Sequence, residues 1–222
     1  MTNSEFFSNF YVIEDPSSKK NFRGGIINNI GQFGRLLRAE YKIDHLNIAH
    51  IEGGSEPSNL FWNQVLDPFC INQKIVDLLK QNNLKGWAII PASVKNKSGI
   101  VVPDNYFALT VEGRIDPIDY LKTEIILKQM PGGKFPYFKG LYFNPESWDG
   151  SDIFMANSDS NGKYTGFVYV TKKFVEIFRK NKVTNIKFVN FNDFEHDTFA
   201  VQVGATDEWK KKMDDKIKKA CV

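Results

Sequence analysis

Residues 167–191 read FVYVTKKFVEIFRKNKVTNIKFVNF, a pattern of strand, short amphipathic helix, tight turn and second strand. The β-branched and aromatic run at 167–170 suits a buried strand. Thr171 follows where its side-chain oxygen can accept from the free amides of a helix's first turn. Phe174, Val175, Ile177 and Phe178 then form one apolar stripe. Arg179, Lys180 and Lys182 suit the negative end of the helix dipole. Asn185 stands where a residue tolerant of positive φ is useful, and the chain returns as a strand over 186–191.

The same series occurs earlier, at 69–91, as FCINQKIVDLLKQNNLKGWAIIP. An ungapped interval of 99 residues pairs Ile71 with Val170, Lys74 with Lys173, Val76 with Val175 and Asn82 with Asn181. It also matches Asp77 with Glu176, Leu78 with Ile177, Leu84 with Val183 and Gly86 with Asn185. Such an interval is far longer than the ~20–50 residues of solenoid repeats, so it predicts two lobes rather than an array. The expected fold class is α+β: two related strand–helix–strand units in a mixed-sheet body, closed by a C-terminal amphipathic helix. No Pro-, Gly- or Ser-rich linker divides the chain. The expectation is one compact domain over 1–222 with two pseudo-repeated lobes, about 1–115 and about 116–222.

The remaining stretches are less decisive. Residues 6–13 predict a first strand, and the Gly- and Asn-rich residues 19–34 predict turns. Residues 36–51 fit helix or strand, and so do 120–130. Pro131-Gly132-Gly133 is a strong breaker, 106–111 and 137–143 read as strands, 157–163 as a loop and 199–203 as a last strand. Thr206 is placed to cap a final helix whose apolar face is Trp209, Met213 and Ile217.

A chain of 222 residues can bury a core without metal or disulfide help. Its net charge of +3 is small and mixed, and Asp214 and Asp215 interrupt the basic C-terminal run, so no nucleic-acid partner is expected. Cys70 falls in a predicted strand and Cys221 at the chain end, which implies no disulfide framework. The N-terminus lacks a basic region followed by an apolar core, and no apolar run approaches the ~20 residues of a membrane span. A cytoplasmic location and no membrane partner are therefore expected.

Catalytic signatures are absent: no GxSxG, Walker loop, paired CxxC or EF-hand spacing occurs. His45 and His50 lie five apart, which does not stack two ligands on one helical face. Asp44-His45 and Glu195-His196-Asp197 place acids next to histidines, and the simplest expectation is surface residues. No catalytic, cofactor or metal residues are assigned. One compact constellation remains, WDGSDIF at 148–154. Asp149 and Asp152 beside two aromatics could hold a cation or act as acid and base. They could equally form a turn, with Asp149-Gly150 bending the chain, Asp152 capping, and Trp148 and Phe154 packing.

These residues carry a resemblance. WDGSDIF, a short loop, and then VTKKFVEIFRKNKVTNIKF resemble the C-terminal half of a bacterial immunity-protein family from polymorphic-toxin systems, the relatives of the double-CxxCG proteins. The matching positions are Trp148, Gly150, Asp152, Ile153, Phe154, Val170, Thr171, Phe174, Val183, Thr184, Asn185, Ile186 and Phe188. The likeness spans roughly residues 60–191. Between Tyr106 and Trp148, where those relatives carry paired cysteines, this chain has Pro131-Gly132-Gly133, so no metal site is expected. The resemblance implies a protein that binds a cognate toxin and neutralises it by occlusion, with Trp148, Asp149 and Asp152 as candidate partner-binding residues. The alternative is a small-substrate hydrolase using Asp149 and Asp152 or a histidine.

Overall fold

The computed structural model describes residues 3–28, 30–64, 67–158, 166–198 and 206–220. Its first half contains α1 (Asn3–Phe7), β1 (Phe10–Glu14), β2 (Arg23–Ile26), α2 (Phe33–Leu37), β3 (Leu46–Glu52), β4 (Leu60–Phe61), β5 (Cys70–Asn72), α3 (Gln73–Gln81), β6 (Trp87–Lys95) and β7 (Tyr106–Val111). The second half contains β8 (Gly113–Ile115), β9 (Glu124–Met130), β10 (Gly133–Lys139), β11 (Ile153–Ala156), β12 (Tyr169–Thr171), α4 (Lys172–Lys180), β13 (Lys187–Asn190), β14 (Glu195–Asp197) and α5 (Asp207–Ala220).

The duplicated stretch folds twice into the same local structure, bond for bond. Asn72 Oδ1 accepts from the Ile75 amide at 3.3 Å, and Thr171 Oγ1 accepts from the Phe174 amide at 3.4 Å. At the far ends of α3 and α4, Asn82 Nδ2 donates to the Leu78 carbonyl at 2.8 Å and Asn181 Nδ2 to the Ile177 carbonyl at 2.9 Å. Both helices then turn through two left-handed residues: Asn83 (φ 49°) and Gly86 (φ 90°) in one, Lys182 (φ 53°) and Asn185 (φ 63°) in the other.

The sheets extend the likeness beyond the repeated stretch. One six-stranded sheet has the order β2-β3-β6-β7-β5-β4, and a five-stranded sheet has the order β13-β1-β12-β11-β8. Each contains the same four-stranded module, β4-β5-β7-β6 in one and β11-β12-β1-β13 in the other. Phe107 pairs with Ile71 and Pro91, just as Tyr11 pairs with Val170 and Asn190. Strand β7 follows its unit in the chain, whereas its counterpart β1 precedes every strand of its own unit. The segments FYVIE and YFALT thus occupy one structural position. The division near residue 115 does not separate the sheets, because β1 lies between β12 and β13.

Three apolar clusters fill the interior. The central one joins both units through Ile75, Val76 and Leu79 of α3 and Phe174, Val175 and Phe178 of α4. A second, aromatic cluster gathers Phe7, Phe10, Phe143, Phe154, Tyr169 and Phe191 and takes in Met213 from α5. A third lies under the outer strands of the first unit around Phe22, Phe61 and Tyr106. The final helix starts as expected, with Thr206 Oγ1 accepting from the Trp209 amide at 3.2 Å. Lys216 Nζ turns inward to donate to the Leu121 carbonyl at 2.7 Å and to the Thr123 carbonyl.

Several expectations need correction. The strand expected over 6–13 begins only at Phe10, because residues 3–7 close a helical turn that Ser8 Oγ and Asn9 Nδ2 cap at the Glu5 carbonyl. That turn sets Phe6 and Phe10 on one side, with ring centroids 5.1 Å apart. The turns expected over 19–34 include strand β2, where Gly24 and Gly25 admit close neighbours. A Cβ on Gly24 would lie 2.6 Å from both Ile48 and Asn63 side chains. Residues 36–51 divide into the end of α2 and strand β3, and 124–130 is a strand. The expected strand at 199–203, most of the loop at 157–163, and Cys221 lie outside the described residues.

Candidate functional site

The WDGSDIF segment crosses the seam between the two units, and its side chains serve that seam. Trp148 is half-buried: its Nε1–H donates to the Ser151 carbonyl at 3.0 Å, and its ring meets Phe10 edge-on at 5.0 Å between centroids. Asp149 is exposed on the turn. Its Oδ1 accepts from the Ser151 amide at 2.9 Å and its Oδ2 from the Arg114 amide at 3.2 Å. Gly150 completes the bend at φ 81°.

Asp152 has a different position, being only 7% exposed. Its Oδ1 accepts from Thr171 Oγ1 at 2.9 Å, and its Oδ2 accepts from the Lys85 amide at 3.0 Å. Lys173 Nζ stands 3.6 Å from Oδ2. Its backbone is engaged as well: the Asp152 amide donates to the Lys85 carbonyl and the Thr171 amide donates to the Asp152 carbonyl, both at 3.0 Å. One carboxylate therefore ties the turn after α3 to the N-cap of α4. Asp149 and Asp152 share no donor, and each of their four oxygens accepts a hydrogen bond.

The reciprocal seam uses different chemistry. Asn185, after α4, donates from Nδ2 to the Leu60 carbonyl at 3.0 Å, and its own carbonyl accepts from Trp62 Nε1–H at 2.7 Å. Each post-helix turn is thus docked on the strand that leads into the other unit. Beside Asp149, the Arg114 guanidinium donates to the Val111 and Gly113 carbonyls at 2.7 and 2.8 Å. Burial, and next the nearby Arg38, hold Arg114 below its ordinary pKa.

The histidines are dispersed. His45 Nε2 meets Ser93 Oγ at 2.8 Å on the surface. His50 packs edge-on against Phe22 at 5.2 Å, and its Nε2 is buried with no hydrogen-bond partner among the described residues. His196 lies among Phe167, Phe194 and Tyr120, and burial holds its pKa below the usual imidazole value. The surface expectation therefore fails for His196, because β14 pairs with β10 so that His196 stands opposite the buried Phe138. Cys70 is fully buried, and desolvation pushes its thiol up to about 12. Among the described residues no group of three or more His, Cys, Asp or Glu side chains could hold a metal ion. No described helix is long and apolar enough to cross a membrane.

The feature that sequence reasoning missed is the β9–β10 hairpin. It belongs to a three-stranded sheet of order β14-β10-β9 and turns at Pro131-Gly132. At its base, Ile125 and Phe138 face the aromatic core. Toward its tip it presents Leu127 at 38%, Met130 at 38% and Phe135 at 45% exposure. Phe135 and Met130 share the outward face with Ile126, Tyr137 and Lys128, and Lys128 pairs with Glu195 at 2.7 Å. The signal was an apolar run, EIILKQM, followed by a breaker and an aromatic strand. Large apolar side chains partly exposed on both faces of a hairpin are characteristic of a contact surface.

No known protein-family model matches the chain, and no curated protein is significantly similar to it.

Proposed function

We propose that this is an immunity protein, which binds a cognate bacterial toxin in the cytoplasm and neutralises it by occlusion. The observation that carries the proposal is the β9–β10 hairpin, which exposes part of Leu127, Met130 and Phe135 beside the charged pair Lys128 and Glu195. Apolar and aromatic anchors inside a charged rim are what a protein-binding surface requires. The resemblance through Trp148, Asp152 and the following strand–helix–strand unit points to the same class. Trp148 and Asp149, on an exposed turn, remain candidate contacts. Asp152 is committed to the seam and is not one. The hydrolase alternative draws no support from Asp149 and Asp152, whose oxygens hold backbone amides and Thr171.

The test is co-expression with the toxin encoded beside it. The pair co-purifies and growth is rescued. The double variant Met130→Asp/Phe135→Asp weakens capture by at least about tenfold while keeping the native circular dichroism. A pair that neither co-purifies nor rescues growth overturns the function, and undiminished capture by the double variant removes the hairpin from the interface.

A further inference from the structure

Helices α3 and α4 lie antiparallel, each with its first turn beside the other's last turn, so the duplication builds the same inter-helix cleft twice. In one copy the cleft is bridged from within. Lys173 Nζ reaches the Asn83 carbonyl at 3.5 Å and Asp152 Oδ2 at 3.6 Å. In the other copy it is open, a pocket of about 400 Å³ lined by Asn59, Lys74, Leu78, Gln81, Asn181 and Val183.

Lys74 is the counterpart of Lys173, and Asn59 is the counterpart of Asp152. The second equivalence rests on bonding. Asn59 Oδ1 accepts from Asn72 Nδ2 at 2.9 Å, as Asp152 Oδ1 accepts from Thr171 Oγ1 at 2.9 Å. Each backbone carbonyl also accepts from the following N-cap amide, at 2.9 and 3.0 Å. The exchange of carboxylate for amide removes the charge that Lys173 meets in the other cleft. Lys74 has no hydrogen-bond or ion-pair partner among the described residues. The acidic side chain nearest in sequence on the lining, Asp77, is bonded to Gln73 Nε2 at 2.8 Å.

We propose that the open cleft binds a carboxylate group, held between Lys74 Nζ and the Asn59 side-chain amide, which gives Lys74 the negative partner that Asp152 gives Lys173 in the other unit. Lysine offers three donors and the asparagine amide two, so the donor set suits an anion. Leu78 and Val183 supply an apolar wall for the methylenes that carry the acid. The group comes either from an acidic side chain of a protein partner or from a free small dicarboxylate. This inference stands on the two clefts and does not depend on the toxin reading.

The experiment is a titration of the ¹⁵N-labelled protein, followed by amide chemical shifts, with N-acetyl-glutamate methylamide and separately with glutarate. Saturable shifts are expected at Asn59, Lys74 and Asn181, with none for N-acetyl-glutamine methylamide. Lys74→Gln, an exposed change, weakens binding by about tenfold or more. Asn59→Asp abolishes it by installing the internal carboxylate of the other cleft. Binding of the blocked glutamate alone assigns the site to a protein side chain, and equal binding of glutarate assigns it to a free acid. Equal shifts from the glutamine analogue, shifts that persist in both variants, or no saturable shift up to about 50 mM overturn the proposal.

Discussion

Asp149 and Asp152 stand three positions apart, yet one faces solvent and the other is sealed into the seam. The difference predicts unequal costs. Asp152→Ala leaves the Lys85 amide and the Thr171 hydroxyl without their buried acceptor, and should cost about 2–4 kcal/mol. Asp149→Ala loses two bonds at an exposed turn, where water replaces the carboxylate, and should cost about 1 kcal/mol. Urea denaturation of both variants measures the order, and a reversed order would refute the seam assignment. The turn at Asp149-Gly150 was legible in the sequence, because its chemistry is local. The role of Asp152 was not, because Lys85 lies 67 residues away and no spacing rule connects them.

At the scale of the element, the two strand–helix–strand units were legible because periodicity, caps and left-handed turn positions repeat at a fixed interval. The interval also matched Gly86 with Asn185, two residues with different surroundings. At Gly86 the backbone has φ 90°, and an added Cβ would lie 2.1 Å from the Ile153 carbonyl oxygen. Gly86→Ala should therefore cost about 3 kcal/mol or more, through both strain and collision. Asn185→Gly keeps the permitted backbone and loses only the side-chain bonds, such as that to the Leu60 carbonyl, for about 1–2 kcal/mol. Thermal denaturation of the two variants checks the asymmetry. The β9–β10 hairpin was harder to read, because an apolar run at 125–127 fits a buried helix or a strand equally well. Only its pairing with β10 shows which side chains share a face.

For the whole molecule, the part least visible in the sequence is the equivalence of β1 and β7. Five residues carry only alternation and apolar character, and their order in the chain is inverted relative to the units they complete. The consequence is testable by truncation. A chain lacking residues 1–14 leaves β12 and β13 without the strand between them and opens the aromatic core at Phe7, Phe10 and Val12. It should show no cooperative unfolding transition, whereas removal of an exposed end costs little. The same strand sets a schedule for the ribosome. Glu14 emerges early, but its partner Lys187 lies 173 residues further on. The first unit has its strands in hand once β7 is made, while the second cannot close until β13 has been synthesised. During that interval an apolar N-terminal segment is left without its partners, and a chaperone acting on nascent chains would find it there.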